Sequence, residues 1–170
     1  MSASTTIPVI NIGDVETFAF GHGEGFAANL GRIGNRIGME KLGCLLTVVE
    51  PGKAAFPFHV HHANEEMFVI LEGTGDYYYG SEKYQIRAGD VVAAPPGGPE
   101  RAHKITNTGT ITLQYLGIST KEEPEVVEYP NSNKFAVFSQ STDGSPMTAH
   151  IRYIGRQENS LDYWDGEDGA

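Results

Sequence analysis

The sequence is poor in cysteine and in positive charge. Its 170 residues include one cysteine, Cys44, so an internal disulfide bond is ruled out and a reducing, cytoplasmic location is expected. The 12 lysines and arginines are outnumbered by 22 acidic residues, and the net charge is −10. Because this negative field repels polyanions, the composition argues against a protein that binds nucleic acid.

Long apolar runs are also missing. No segment approaches the ~18 consecutive apolar residues of a membrane-spanning helix, so no membrane partner is expected. The first residues, MSASTTIPVINIGD, contain no basic residue and no long apolar stretch, unlike a secretory signal peptide. These features predict a globular protein that works in water.

Short apolar runs bounded by turn residues make up much of the chain. The 21 glycines and 9 prolines favour many turns, and no amphipathic helix is convincing, which predicts an all-β barrel or sandwich. We expect a glycine-rich N-terminal arm at 1–39, a barrel core at 40–120, and C-terminal strands with an acidic tail at 121–170. In the segment EMFVILEG, apolar residues occupy both alternating faces, which predicts a strand buried on both sides.

The segment FHVHHANEEMF gathers three histidines and two glutamates. Residues i and i+2 of a strand share a face and lie about 6.6–7 Å apart, so His59 and His61 point together and His62 points away. Two such imidazoles can bind one metal ion, and a glutamate beyond the following turn can add a carboxylate. The spacing leaves Glu65 and Glu66 as alternatives for that carboxylate. A lone pair of this kind is more often an ordinary surface feature, so the rest of the sequence must decide.

Two motifs in the chain resemble those of the cupin superfamily. In the first, a glycine precedes a His-x-His pair, a glutamate and a second glycine, and the residues here are Gly52, His59, His61, Glu66 and Gly73. In the second, a glycine precedes a Pro-x-Gly turn, a histidine and an asparagine, and the residues here are Gly89, Pro95, Gly97, His103 and Asn107. The spacer between Gly97 and His103 is longer than usual, which predicts a remodelled pocket mouth.

The resemblance implies a cupin-type double-stranded β-helix, the jelly-roll barrel. It implies one divalent transition metal (Fe, Mn, Ni, Zn or Co), since three imidazoles and a carboxylate suit these ions. The implied ligands are His59, His61, Glu66 and His103. The chain is also similar to bacterial single-domain cupins described as sugar-phosphate-isomerase-like. Because the fold hosts many reactions, two classes stay open: a metal-dependent enzyme of isomerase or dioxygenase type, and a non-catalytic metal or small-molecule sensor.

Four further residues are candidates for contact with a small-molecule substrate. Tyr77 and Tyr79 share one face of a predicted strand and can act as catalytic proton donors, although such a row more often belongs to barrel packing. Arg101 lies in the enlarged loop and can bind an anionic group, or it can be a surface charge. Gln114 lies on a late strand and is expected to face inward. Because cupin barrels commonly dimerise, the resemblance also implies a homodimer.

Overall fold

The computed structural model describes residues 7–142 and 146–169, which contain β-strands and short 3-10 helices. The strands are β1 (Phe18–His22), β2 (Phe26–Arg32), β3 (Leu42–Val49), β4 (Val60–His61), β5 (Glu66–Glu72), β6 (Thr74–Tyr79), β7 (Glu82–Arg87), β8 (Val91–Ala94), β9 (His103–Thr106), β10 (Leu113–Thr120), β11 (Glu125–Tyr129), β12 (Lys134–Ser139) and β13 (Ile151–Gly155). The 3-10 helices are Ile12–Asp14, Gly34–Ile37, Pro99–Arg101, Pro130–Ser132, Pro146–Thr148 and Gln157–Asn159. None of the helices within the two described ranges has the length and apolar character needed to cross a membrane.

The strands form three antiparallel sheets. The largest has the order β1-β2-β3-β10-β5-β8, the second β13-β12-β11-β4, and the third β7-β6-β9. Half of the neighbouring pairs in these sheets join strands that are not consecutive in sequence, as β10 between β3 and β5 illustrates. This topology confirms the predicted all-β jelly-roll barrel.

The main core lies between the six-stranded and the three-stranded sheets. Ile70, Leu113 and Tyr115 contribute buried side chains from the first, and Tyr77 and Ile105 contribute them from the second. Burial of this apolar surface is the main force that holds the two sheets together. A separate apolar cluster supports the four-stranded sheet and is formed around Val127, Ala136 and Phe138.

Strand β5 is buried on one face only, which corrects the prediction of two-sided burial. Phe68 and Ile70 point into the core, whereas Met67 is 39% exposed and Leu71 is 36% exposed. The apolar sequence pattern was therefore misleading, because no described layer of this chain covers the outer face at these two residues. An apolar side chain on a sheet surface is common in folded proteins.

The N-terminal segment also differs from its prediction as glycine-rich loop. Residues 18–32 contain the antiparallel hairpin β1–β2, and β2 continues the main sheet by pairing with β3. The C-terminal strands β12 and β13 occur where the sequence predicts them. Strand β11 lies in the same C-terminal range, and the strand that carries His61 is short, covering only Val60–His61.

Candidate metal centre

Three histidines are brought together by strand pairing. His61 lies on β4, which pairs with β11. His59, just before β4, forms a reciprocal backbone bridge with His103 at the start of β9, with N···O distances of 3.1 and 2.7 Å. The imidazole ring centres lie 5.2 Å apart for His59 and His61, and 4.6 Å apart for His59 and His103. The predicted common face of the His-x-His pair is thus present.

The three imidazoles converge on the carboxylate of Glu66. Its Oε2 lies 3.0 Å from Nε2 of His103, 3.3 Å from Nε2 of His61 and 3.8 Å from Nε2 of His59. Glu66 begins β5 and shares its inward face with the buried Phe68. The structure thereby separates the two alternatives left by the spacing, because the side chain that meets the histidines is that of Glu66.

Glu65 lies on the opposite side of the strand start and is exposed. Its backbone N–H donates to Oγ1 of Thr120 at 3.0 Å, and its carbonyl accepts from the Thr120 N–H at 3.0 Å. This pairing with the end of β10 fixes the register of β5. A shift by one residue would exchange the two glutamates between the faces of the sheet.

The side chains present fit a divalent transition metal. One donor atom each from His59, His61 and Glu66 lies within 4.8 Å of the other two, which is the separation expected of ligands around a single ion. Nε2 of His103 points to the same Glu66 oxygen. Imidazole nitrogen and carboxylate oxygen are together typical ligands of zinc, iron, nickel and similar ions.

The other ring nitrogens of the histidines have three different environments. Nδ1 of His59 lies 2.8 Å from the carbonyl oxygen of Pro57, so Nδ1 must donate and Nε2 is left with its lone pair. Nδ1 of His61 lies 3.2 Å from Oε2 of Glu125. Nδ1 of His103 is buried and has no hydrogen-bond partner among the described residues. Two of the three rings are therefore oriented by an acceptor behind them.

The pKa values of the side chains in the cluster are set mainly by burial and by the charges of Glu66 and Glu125. Burial lowers the pKa of His59 to about 4, since it outweighs the attraction of Glu66. Burial also acts to lower the pKa of His61, but hydrogen bonds to Glu125 and Glu66 overcome it and raise the pKa to about 10. Burial acts to raise the pKa of Glu66, yet the hydrogen bonds from His103 and His61 hold it well below its usual value. A metal ion at the cluster would compete with protons for these nitrogens.

Glu125 is a participant that the sequence did not reveal. Burial acts to raise the pKa of its carboxyl, but the hydrogen bond from His61 and those from the turn after it lower the pKa below its usual value. Residue 125 lies 64 positions from His61, in a segment rich in acidic residues that is typical of a solvated surface. The available signal was the alternation of EVVEY, which is compatible with a half-buried strand.

A small pocket opens beside the cluster, with a volume of about 150 Å³. It is bounded by the cluster itself, by the ends of β5 and β10, and by the C-terminal sheet. The described residues that line it are Gly43, His61, Asn64, Glu66, Ser119, Thr120, Lys121, Glu122, Glu123, Glu125, Val127, Phe138 and Pro146. This volume is below that of typical drug-sized sites, so the pocket suits a molecule of few atoms.

The two predicted tyrosines lie near the histidines but within the core. The ring centre of Tyr77 is 6.3 Å from that of His103 and 6.0 Å from that of Tyr79. The Tyr77 hydroxyl donates to the carbonyl oxygen of Ala93 at 2.8 Å, and burial raises the pKa of this phenol. A catalytic role for Tyr77 and Tyr79 stays a prediction.

The structure does not bring Arg101 or Gln114 to the lining of this pocket. The enlarged loop forms a 3-10 turn, and Nη1 of Arg101 donates to the carbonyl oxygen of Pro96 at 2.7 Å. Gln114 lies at the far end of β10, where its amide donates to Oε2 of Glu72 at 2.6 Å. Contact of either residue with a substrate stays a prediction.

His62 points away from the cluster, as the alternation predicts. Its Nε2 lies 2.6 Å from Oε1 of Glu128, at a half-exposed position on the outer side of the β4–β11 pair. This contact between His62 and Glu128 is separate from the cluster formed by three other histidines and Glu66.

The sequence of the central strands matches a known family. Residues 45–119 match the Cupin domain family, and this range contains the convergent histidines and Glu66. The barrel is a cupin domain. Within it, the cupin asparagine, Asn107, is fully buried, and its side-chain amide donates to the carbonyl oxygens of Val49 and Ile111 at 2.8 and 2.9 Å. These bonds close the turn between β9 and β10.

Two curated proteins share part of this cupin domain. The chain is 36% identical over 74 residues to an uncharacterized protein of Methanocaldococcus jannaschii, covering 41% of this chain and 57% of that protein. It is 31% identical over 68 residues to an oxalate-binding protein of Thermotoga maritima, covering 40% of this chain and 54% of that protein. The chain therefore spans just over half the length of these curated relatives.

A solved structure resembles nearly the whole chain. A candidate sugar phosphate isomerase from Acidithiobacillus ferrooxidans aligns with a TM-score of 0.75 and 26% identity. The alignment covers 94% of this chain and 98% of that one. The similarity thus extends beyond the cupin domain to most of the terminal strands.

Proposed function

We propose that this cupin is a metal-dependent enzyme, of isomerase or dioxygenase type, that acts on a small oxygenated substrate. The observation that carries the proposal is the convergence of three imidazole Nε2 atoms on one carboxylate oxygen at the wall of a pocket of about 150 Å³. Buried ionisable groups that converge at a cleft are more typical of functional sites than of structural ones.

In the proposed centre, His59, His61, Glu66 and His103 hold one divalent ion of Fe, Mn, Ni, Zn or Co. The ion, when bound, would polarise a carbonyl or hydroxyl group of the substrate. Phe68 packs against the ring of His103, with ring centres 5.7 Å apart, and limits the movement of that ligand. The protein thus supplies a rigid, largely water-excluding cradle on the core side.

The pocket residues suit a hydroxylated molecule. The strand-end residues Ser119 and Thr120 line the pocket, while Lys121 is the one cation among the described lining residues. The Lys121 ammonium donates to Oδ1 of Asn35 at 3.1 Å and to the carbonyl of Met39 at 3.3 Å. An anionic substrate would need this lysine, the metal or both, because the remaining charged lining groups are acidic or histidine. Two similar proteins, an oxalate-binding protein and a candidate sugar phosphate isomerase, are named for small oxygenated molecules.

A second candidate function is binding without turnover. It is favoured by the Tyr77 hydroxyl, which is already committed to the Ala93 carbonyl, and by the lack of any tyrosine among the described residues that line the pocket. A sensor or carrier needs a ligand position but no group poised to move a proton.

The experiment that separates these functions is elemental analysis of protein purified without added metal, followed by turnover assays. Oxygen uptake and NMR detection of isomerised product should be measured with small hydroxy acids, oxalate, and phosphorylated and free sugars. Metal-dependent turnover that His59→Ala abolishes supports the enzyme. Saturable binding of one of these molecules without turnover supports the second candidate. Wild-type protein that binds none of the five metals would overturn the enzyme, and protein that also binds none of these molecules would overturn both.

A further inference from the structure

We propose that Glu125 is a positioning residue for the metal centre, which it serves by fixing the ring and the tautomer of His61. This inference rests on the proposed metal site. It concerns a residue outside the range that matches the Cupin domain family, which ends at residue 119. The carboxylate is therefore supplied by strand β11, which follows the matched range in the chain.

The carboxylate of Glu125 is the acceptor for an unusual number of donors. Only 5% of the residue is exposed. Its Oε2 lies 3.2 Å from Nδ1 of His61 and 3.0 Å from the backbone nitrogen of Asn64, whose side-chain amide also donates to it. Its Oε1 accepts from the backbone nitrogens of His62 and Ala63, both at 3.1 Å. Hydrogen bonds to a charged acceptor are the stronger kind, so this group is held firmly.

Strand pairing places the carboxylate directly behind the His61 ring. In the β4–β11 ladder, His61 lies opposite Val127, and the His62 N–H donates to the carbonyl of Val126 at 2.9 Å. Glu125 and Val127 share a face of β11, on the side of the pocket. The backbone of β11 therefore sets the distance between Glu125 and His61.

The geometry determines which nitrogen of His61 is free for a metal. Ionised Glu125 only accepts, so Nδ1 of His61 must carry a hydrogen, and Nε2, which faces Glu66, is the nitrogen at which a metal would replace a proton. A carboxylate behind a metal-binding imidazole also makes the ring a stronger ligand. Among the three histidines, His61 alone has such a partner, because Nδ1 of His59 meets a neutral carbonyl and Nδ1 of His103 is without a described partner.

A structural role alone would give a different result on substitution. Glu125 also closes the turn at 62–64, and a purely structural residue would change stability without changing the properties of the metal. Glutamine has the same shape, but its amide NH₂ is a donor. Two backbone N–H groups face Oε1 but only one faces Oε2, so the NH₂ is better placed at the Oε2 position. There the His61 ring can exchange its tautomer to accept from the NH₂, which a backbone N–H cannot do. Glu125→Gln therefore favours hydrogen on Nε2, the nitrogen that a metal would use.

The test compares metal affinity in Glu125→Gln, Glu125→Asp and Glu128→Gln. Glu128 lies on the same strand and pairs with His62, which is outside the cluster, so it is the matched control. Zinc and cobalt affinities should be measured by competition with a chelator, together with the Co(II) absorption spectrum and the unfolding midpoint of the metal-free variants. We expect Glu125→Gln to weaken affinity about 10- to 100-fold and to alter the cobalt spectrum, as loss of an outer carboxylate does elsewhere.

The controls separate the possible outcomes. Glu125→Asp keeps the negative charge and should retain part of the wild-type metal affinity. Glu128→Gln should have a metal affinity within about twofold of the wild type. Wild-type affinity and spectrum in folded Glu125→Gln would overturn the positioning role while leaving the metal centre intact. If Glu125→Gln does not fold, wild-type affinity in Glu125→Asp together with an unchanged cobalt spectrum would overturn the role, since the shorter side chain cannot keep the same contact. Failure of the wild-type protein to bind metal would instead overturn the proposed function.

Discussion

At the scale of single residues, Glu66 is the point on which the three imidazoles converge. Its neighbour Glu65 has the same chemistry one position earlier but is directed to the outside by the β5–β10 pairing. Glu65 is therefore a matched control for a substitution of Glu66, because the two residues are of the same type and differ only in position.

We predict that Glu66→Gln weakens metal binding at least about tenfold more than Glu65→Gln does, because an anionic ligand becomes neutral only in the first variant. Chelator competition with zinc measures both affinities. Greater damage from Glu65→Gln would mean that the register of β5 is displaced by one residue.

We also predict that His59→Ala and His103→Ala each abolish stoichiometric metal, whereas His62→Ala retains it. The reason is that the rings of His59 and His103 face the same carboxylate oxygen of Glu66, whereas the ring of His62 contacts Glu128. Elemental analysis of the purified variants gives the metal-to-protein ratio. A ratio near that of the wild type in either of the first two variants would remove that histidine from the ligand set.

At the scale of elements, the turn from β5 to β6 requires a glycine. Gly73 has φ +80°, and a Cβ placed on it would lie 2.5 Å from the carbonyl oxygen of Thr112. This close approach is what lets the end of β5 pass against the start of β10. The shape of the turn, and with it the direction of β5, thus depends on the absence of a side chain at Gly73.

We predict that Gly73→Ala lowers the free energy of unfolding by more than about 2 kcal/mol, since an unfavourable backbone conformation is combined with a steric clash. The matched control is Gly89→Ala, because Gly89 has φ +94° but open space around its Cβ position. That variant should lose only about 1–2 kcal/mol. Urea unfolding of both proteins measures the difference, and equal losses would show that the contact with Thr112 relaxes freely.

The same scale shows which parts of the structure were predictable. His59, His61 and Glu66 lie within eight residues, so alternation predicted the common direction of the two histidines, and the resemblance to the cupin motif favoured Glu66 over Glu65. Glu125 was missed because its contact with His61 depends on a ladder between distant strands, and its acidic surroundings are typical of a solvated surface. The hairpin β1–β2 was missed because its glycines suggested loop, although pairing with β3 supplies the order that its own sequence lacks.

At the scale of the whole molecule, a metal at the proposed centre would link the three sheets of the protein to one another. His61 lies in the four-stranded sheet, Glu66 in the six-stranded sheet and His103 in the three-stranded sheet. A ligand that binds only the folded protein raises the free energy of unfolding. The increase grows with the logarithm of the ratio of ligand concentration to Kd. Cross-linking of the three sheets should thus appear as a gain in global stability.

We predict that zinc or another bound metal at about 100 times its Kd raises the free energy of unfolding by about 2.7 kcal/mol, and that a chelator reverses the gain. Thermal and urea unfolding with and without metal provide the measurement. His59→Ala is the control and should show no such increase. A metal that binds stoichiometrically to the wild type without stabilising it would have to bind the unfolded chain equally well, which would contradict a site assembled only by folding.

The origin of Glu125 in a late strand has a consequence for the order in which a newly made chain becomes competent. The ribosome releases His59, His61 and Glu66 long before residue 125, and a domain generally folds as a unit. Until β11 emerges and pairs with β4, the backbone N–H groups of the turn after His61 have no carboxylate to donate to. Nδ1 of the His61 ring then also lacks its partner. Capture of a metal ion in the final geometry is therefore expected only after residue 125 has left the ribosome.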